Sequence, residues 1–291
     1  MRYGNVRIQG RMIAEMVRQA RQSKGISTGQ MVDRMGWFRS ELSGVENGTR
    51  RCEVDELVLY LAMCDADRET MARVVGVHRQ WGDTMLVHGH DSGLPDTMWA
   101  LLNCEKAATA VAAYDPVLIP GLLQTQAYVH ALLLGADVDP EKIDDRVRDR
   151  MARQQVMFEA SPPRFEFFVP EAGLRAVVGS REVMSEQLMY MVLLSNRDGI
   201  DIRVLPSGIS GSAWLRGQFE FMNHDEYPAV VHVELDTASV LVDDRGSVDC
   251  YRDRIRRLRE AALDKARSRA LMLDMAHEYK TRTVKVERLR P

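Results

Sequence analysis

The stretch MGWFRSELSGVENGTRR, running from Met35 to Arg51, decides how the rest of the chain is read. Gly36 interrupts a helical pattern at a point where the chain must turn, and glycine enters the left-handed region at little cost. About two turns of helix follow, with Leu42 and Val45 three apart on one side. Gly48 stops that helix, and Arg50 and Arg51 close the stretch.

Upstream, Met12, Ile13, Met16 and Val17 keep helical spacing, with Ala20 closing the stripe. Gly25 ends that helix, and Ser27 caps a second one carrying Met31, Val32 and Met35. Trp37 is expected in the core, with contact to a phosphate as the alternative. Downstream, Glu53 to Cys64 predicts a fourth helix with Val54, Leu57, Val58 and Leu61 inward. No strand pattern occurs between residues 9 and 66, so this region is expected to be an all-helical bundle.

The length of 291 residues allows two domains or one large one. No uninterrupted apolar run reaches the ~18 residues of a membrane span. The opening MRYGNVRIQGRM lacks the apolar core and small-residue cleavage site of a secretory signal. Cys52, Cys64, Cys104 and Cys250 lie far apart with no CxxC pair, which fits reduced thiols and disfavours a zinc site. The formal net charge is −3, but it is unevenly spread. Met1 to Arg51 holds ten basic residues against four acids, so the head carries +6 and the remainder −9. A basic head on an acidic body predicts that only the head meets a polyanion.

Beyond the head, residues 67–95 read as a helical, polar connector ending in the loop DSGLP (Asp91–Pro95). Residues 96–158 read as helical, with LIPGLLQTQAY (Leu118–Tyr128) turning into a helix and Asp139–Phe158 forming a long charge-laced one. Strands are expected at Phe165–Val169, Ile202–Leu205, Gln218–Met222, Val230–Leu235 and Val240–Asp243. Helices are expected near Glu171–Val178 and over Arg181–Asn196, and Val248–Tyr279 reads as one long closing helix. The fold class is therefore mainly α with an α+β C-terminal domain. A four- to five-helix bundle (residues 1–66) and the connector (67–95) precede an α+β domain of helices and a small mixed sheet (96–279). A basic tail follows (280–291).

The spacing from Thr28 to Val45 meets the demands of a helix-turn-helix. Val32 faces the second helix, Gly36 supplies the turn, and Leu42 and Val45 are buried, leaving the opposite face for a major groove. The segment GISTGQMVDRMGWFRSELSGVENGTRR resembles the phage-repressor or xenobiotic-response-element (XRE) type of helix-turn-helix over roughly residues 10–66. That family often has Gln where Thr28 stands, and Ser or Thr where Phe38 stands. Helical geometry with this resemblance leaves Arg39, Ser40, Ser43, Gly44 and Asn47 on the exposed side. Arg39 is a candidate for bidentate contact to guanine, worth ~1–3 kcal/mol of discrimination; its competitor is an ordinary solvated arginine. Ser40 and Ser43 are weaker readers, and Gly44 allows close approach of the backbone. Ser27 and Thr28 stand at a helix N-terminus, suited to holding a phosphate. The resemblance places Asn47, Thr49, Arg50 and Arg51 in the loop that grips the DNA backbone, and implies a structural ion pair between Arg21 and Glu46.

The body offers no catalytic constellation. His88 and His90 beside Asp91 lack further ligands to complete a metal site, and no G-x-S-x-G elbow occurs. No enzyme activity, cofactor or metal is expected. YDPVLIPGLLQTQAYVHALL, RVRDRMARQQVMF, FFVPEAGLRAVVGSREVMSEQLMYM and IDIRVLPSGISG resemble, in order, the domain of unknown function (DUF5753-like) that follows such heads in actinobacteria. The resemblance implies a transcriptional regulator, often encoded beside a small partner protein. Candidate ligand or partner residues are Gln124, Arg150, Arg153, Gln154, Glu171 and Glu234, each with a plain structural alternative as a turn, an ion pair or a solvated face. The expectation is a cytoplasmic, nucleoid-associated homodimer on double-stranded DNA, without membrane contact. The alternatives are an antitoxin-like module that binds a small protein, and a small-ligand sensor.

Overall fold

The computed structural model describes residues 6–83, 85–89, 96–136, 138–209, 216–235 and 237–281. The chain divides into two compact units. One comprises residues 1–101 and 223–248, the other 102–222 and 249–291.

In the first unit, α1 (Ile8–Ser23) buries Met12, Ile13, Met16 and Val17 on one face. Gly25 ends it at φ +69°. The start of α2 (Thr28–Met35) is closed by a capping box, in which Ser27 Oγ accepts the Gln30 N–H and Gln30 Oε1 accepts the Ser27 N–H. Gly36, at φ +66°, turns the chain into α3 (Arg39–Glu46), whose inward residues are Leu42 and Val45. Trp37 is buried, stacks obliquely on Tyr60 and donates to Glu56 Oε1 at 3.3 Å.

Next comes α4 (Val54–Met63), whose buried stripe is Leu57, Tyr60 and Leu61, continued by Cys64. The expectation that Val54 and Val58 point inward is corrected, since both are exposed. The large Tyr60, fully buried, takes an inner position instead. Helix α5 (Arg68–Arg79) is capped by Asp67 and buries Val74, Val77 and His78.

A strand, β1 (Met85–Gly89), then appears inside the stretch that reads as helical connector. It pairs antiparallel with β7 (Ala238–Val242), which pairs antiparallel with β6 (Val230–Glu234). Only partnership with residues about 150 positions later makes Met85–Val87 a strand, and no local pattern reveals such a partner.

The end of this ribbon supports the bundle. Asp243, just after β7, is buried; its Oδ2 accepts the Ile8 N–H at 2.6 Å and its Oδ1 accepts the Arg7 Nε–H at 2.7 Å. Arg7 provides no side-chain cap of its own to α1. A carboxylate from 235 residues away therefore satisfies an orphan donor at the positive end of that helix.

The second unit contains α6 (Asp96–Ala107, from Leu102 on), β2 (Ala110–Tyr114), α7 (Gln126–Leu134), α8 (Pro140–Arg153) and β3 (Arg164–Pro170). It continues with α9 (Glu171–Arg175), α10 (Arg181–Leu194), β4 (Ile200–Leu205), β5 (Phe219–Asn223), α11 (Arg245–Ala261, mostly in this unit) and α12 (Lys265–Thr281). Its strand order is β5-β2-β3-β4, with β2/β3 and β3/β4 parallel. Together with the antiparallel ribbon of the first unit, these make the strand content mixed, as expected, and larger than the small sheet the sequence suggested.

Two expectations fail here. The alanine-rich Ala110–Tyr114 is a strand, because parallel pairing with β3 and burial of Val111–Tyr114 override alanine's helical preference. The closing helix is broken at 262–264. There the Leu263 N–H donates to Val204 O at 2.9 Å and Arg203 donates to Leu263 O, so the chain leaves the helix to meet β4. Asp264 then caps α12 by accepting the Arg267 N–H. Among the described residues no helix is long and apolar enough to cross a membrane.

Candidate nucleic-acid interface and a buried polar cluster

The scaffold beneath α3 is a buried ion pair. Arg21 Nε and Nη2 donate to the two oxygens of Glu46 at 2.6 and 2.8 Å, and Nη1 donates to Ile26 O at 2.8 Å. Tyr60 Oη donates to Glu46 Oε1 at 2.6 Å. The bond from Glu46 holds the Arg21 guanidinium above its ordinary pKa, and burial with the same carboxylate pushes the Tyr60 phenol up. Glu46, at the end of α3, is thereby tied to both α1 and α4. Such a bidentate, fully bonded pair fixes orientation more than it adds stability.

On the opposite side, Arg39, Ser40 and Ser43 are exposed while Leu42 and Val45 are 3% and 2% exposed. Arg39 has no ion-pair or hydrogen-bond partner among the described residues. Asn47 is half-buried and donates to Ser43 Oγ at 3.1 Å. Gly44 serves packing as well as approach, because a Cβ there would lie 2.9 Å from Arg50 Cβ. Thr49 Oγ1 donates back to Gly44 O at 3.2 Å, which folds the loop against α3.

The two loop arginines differ. Arg50 faces Glu41 Oε1 at 2.9 Å, so its charge is partly committed inside the chain. Exposed Arg51 touches His78 Nε2 at 3.4 Å through its Nε alone, leaving the guanidinium tip outward. Ser27 Oγ is occupied as acceptor by the cap but keeps its proton to donate, and Thr28 is exposed beside it. At the head of α3 stands Phe38, 77% exposed, which the sequence reading treated only as a departure. Glu41 Oε2 accepts the Phe38 N–H at 2.8 Å, half of a capping box whose other half a phenyl ring cannot supply.

The six candidate residues of the body separate. Gln124, Arg150, Arg153 and Gln154 converge in the second unit. Arg150 donates to Gln124 Oε1 (2.9 Å), Gln124 donates to Ile119 O (2.7 Å), and Gln154 donates to Gln124 O (2.6 Å) and Gly121 O (3.2 Å). Arg153 lies between two carboxylates, reaching Glu105 at 2.5 to 3.1 Å and Glu220 at 2.6 Å. Burial, then the charge of Glu105, drives the Glu220 carboxyl well above the ordinary glutamate range, and a hydrogen bond to Glu105 favours the same protonated form. One guanidinium thus serves two acids, of which Glu220 is the one pushed toward its protonated form.

Sequence reading missed Glu105 and Glu220. An acid flanked by phenylalanines on a strand reads as the solvent-facing alternate, whereas β5 is buried from Phe219 through Met222 on both faces. Glu171 stands apart, bound to Arg175 and to the N–H and hydroxyl of Ser207. Glu234 lies in the other unit, against His232 at 3.0 Å. Of the suspected metal fragment, His88 falls on β1, and His90 and Asp91 lie outside the described residues. Among the described residues no cluster of three or more His, Cys, Asp or Glu can hold a metal ion.

Two helices joined at a left-handed glycine, the second with one face buried and the other bare, define a helix-turn-helix module, which places the head among DNA-binding domains. Residues 13–74 match the helix-turn-helix domain family, and residues 99–274 match a domain of unknown function, DUF5753. The latter covers more than half of the chain, which belongs to the DUF5753 family. No curated protein matches the chain.

Proposed function

We propose that this chain is a sequence-specific transcriptional regulator. In this reading α3 enters the major groove with Arg39, Ser40 and Ser43 toward base edges. Ser27, Thr28, Asn47, Thr49, Arg50 and Arg51 meet the phosphates. One head makes few base contacts, so the protein works as a two-fold dimer on a palindromic operator. The DUF5753 region receives the signal, whether a small protein or a ligand, and carries no catalytic chemistry. The observation that supports the reading most is the division of α3 into a buried Leu42/Val45 face and an exposed face on which Arg39 has no partner among the described residues.

The test is an electrophoretic mobility shift with genomic fragments from the native host. The wild type is expected to retard a small subset of fragments. The Arg39→Ala, Ser43→Ala double variant is expected to lose that selectivity while keeping its helical circular dichroism. Undiminished selective binding by the double variant means that the wrong face was chosen.

A further inference from the structure

Resting on that reading, we propose that Phe38 is a specificity-determining residue which selects thymine by apolar contact with its 5-methyl group.

The N-cap of a helix favours Ser, Thr, Asp or Asn, whose side chains satisfy an orphan N–H of the first turn. The chain uses this device at α2 with Ser27 and at α5 with Asp67, while the N-caps of α1 and α4, Arg7 and Glu53, supply no side-chain cap but carry polar groups. At α3 it is abandoned for a phenylalanine with extended backbone, φ −81° and ψ 156°, and no side-chain cap. The ring gains nothing inside the protein in return. It is 77% exposed, the most exposed of the large apolar side chains described, while its neighbour Trp37 is buried. A cap is forgone and an aromatic ring is placed in water at one position. Local rules broken without internal compensation mark functional positions.

The position itself identifies the ligand chemistry. Residues at the N-terminal end of a recognition helix approach base edges in the major groove. There the thymine methyl is the apolar feature of the base-pair edges, and phenylalanine is among the side chains that read it. Exposed Arg39 and Ser40 follow directly, so the ring sits beside hydrogen-bonding readers rather than on an isolated surface. Arg39 and Phe38 would then read adjacent positions by different chemistry, hydrogen bonding at guanine and methyl burial at thymine.

The full-length protein, as wild type and as Phe38→Ser, is used to select sites from a pool of randomised duplexes. Each thymine of the wild-type site is then replaced singly by uracil, which removes only the methyl. The wild type is expected to lose about four-fold in affinity at one thymine per half-site, the equivalent of one buried methyl group at ~0.8 kcal/mol. Phe38→Ser is expected to be indifferent to that replacement and to select sites without that thymine. Because serine restores a polar cap, the variant also folds at least as stably, so the loss cannot come from unfolding. Equal sensitivity of both proteins to every uracil replacement overturns the role of Phe38 and leaves the regulator reading standing. Selection of no sequence by the wild type overturns both.

Discussion

At Glu46 a single carboxylate accepts from an arginine of α1 and a tyrosine of α4 while forming the last residue of α3. Removing one partner of such a buried pair leaves the other charge uncompensated and costs about 3–5 kcal/mol. Arg21→Ala is therefore expected to lower the urea midpoint of the first unit strongly, and Arg21→Met with Glu46→Leu to recover much of the loss. A double variant as unstable as the single one would show that the network, rather than the stranded charge, carries the effect.

Glu220 obeys a different rule. Its folded carboxyl holds a proton above the ordinary glutamate range, so its contribution is complete below that range, where both states are protonated. As pH rises from about 4.5 the unfolded chain loses the proton and the folded chain keeps it. Stability from this group thus falls by about 1.4 kcal/mol per pH unit until the folded group also titrates. Glu220→Gln mimics the protonated form and is expected to remove this slope. Denaturation midpoints from pH 5 to 8 should converge on, and then fall below, those of the variant. Parallel curves would place the proton elsewhere.

Neither residue's role was equally visible in the sequence. Arg21 with Glu46 was accessible only through the resemblance of the head to a known helix-turn-helix family, which implies that pair. Glu105 and Glu220 were not, since 115 residues separate two acids that meet on one arginine only after the strands assemble.

Elements were legible wherever local pattern and tertiary environment agree. Helices α1 to α3 have glycine stops and apolar spacing that point the same way, and all three form. Met12, Ile13, Met16 and Val17 of α1, Met31 of α2 and Leu42 and Val45 of α3 are buried, while Val32 and Met35 are half-buried. Strands β1 and β2 have no such agreement, as each depends on a partner distant in sequence. The break between α11 and α12 shows the same limit, for no glycine or proline marks Ala262–Asp264, and the cause is the hydrogen bond from Leu263 to β4.

The Asp243 clamp belongs to this scale, because it makes an element of the bundle depend on a ribbon more than 200 residues downstream. Asp243→Ala removes a helix cap, worth about 0.5–2 kcal/mol, together with the Arg7 contact. Amide exchange in the first turn of α1 is expected to accelerate while α3 stays protected. Uniform acceleration across the bundle would mean that the ribbon supports the whole unit rather than one helix end. Gly48 is constrained in another way. It holds φ +69°, and its missing Cβ would collide with Gly10 O. Gly10→Ala would in turn bring a methyl within 2.6 Å of Gly48 O, so either substitution forces α1 away from the loop after α3.

For the whole molecule, the charge division of +6 in residues 1–51 against −9 in the remainder makes DNA affinity salt-dependent through the head alone. Each neutralised phosphate contributes about −0.9 to the slope of log affinity against log salt concentration. Arg51 is the better phosphate ligand of the loop pair, since Arg50 is engaged by Glu41. This lets salt dependence count the heads on the DNA. Arg51→Ala removes one phosphate contact per head, so a dimer should lose about 1.8 from the slope and a monomer about 0.9. The measurement is fluorescence anisotropy on one selected operator between 50 and 200 mM salt, a range over which such slopes are well resolved. Arg50→Ala should weaken binding with less change in slope, because part of its effect is to leave Glu41 unpaired close to the phosphates. An unchanged slope for Arg51→Ala would remove that residue from the interface, and a loss near 0.9 would leave the two-fold arrangement without support.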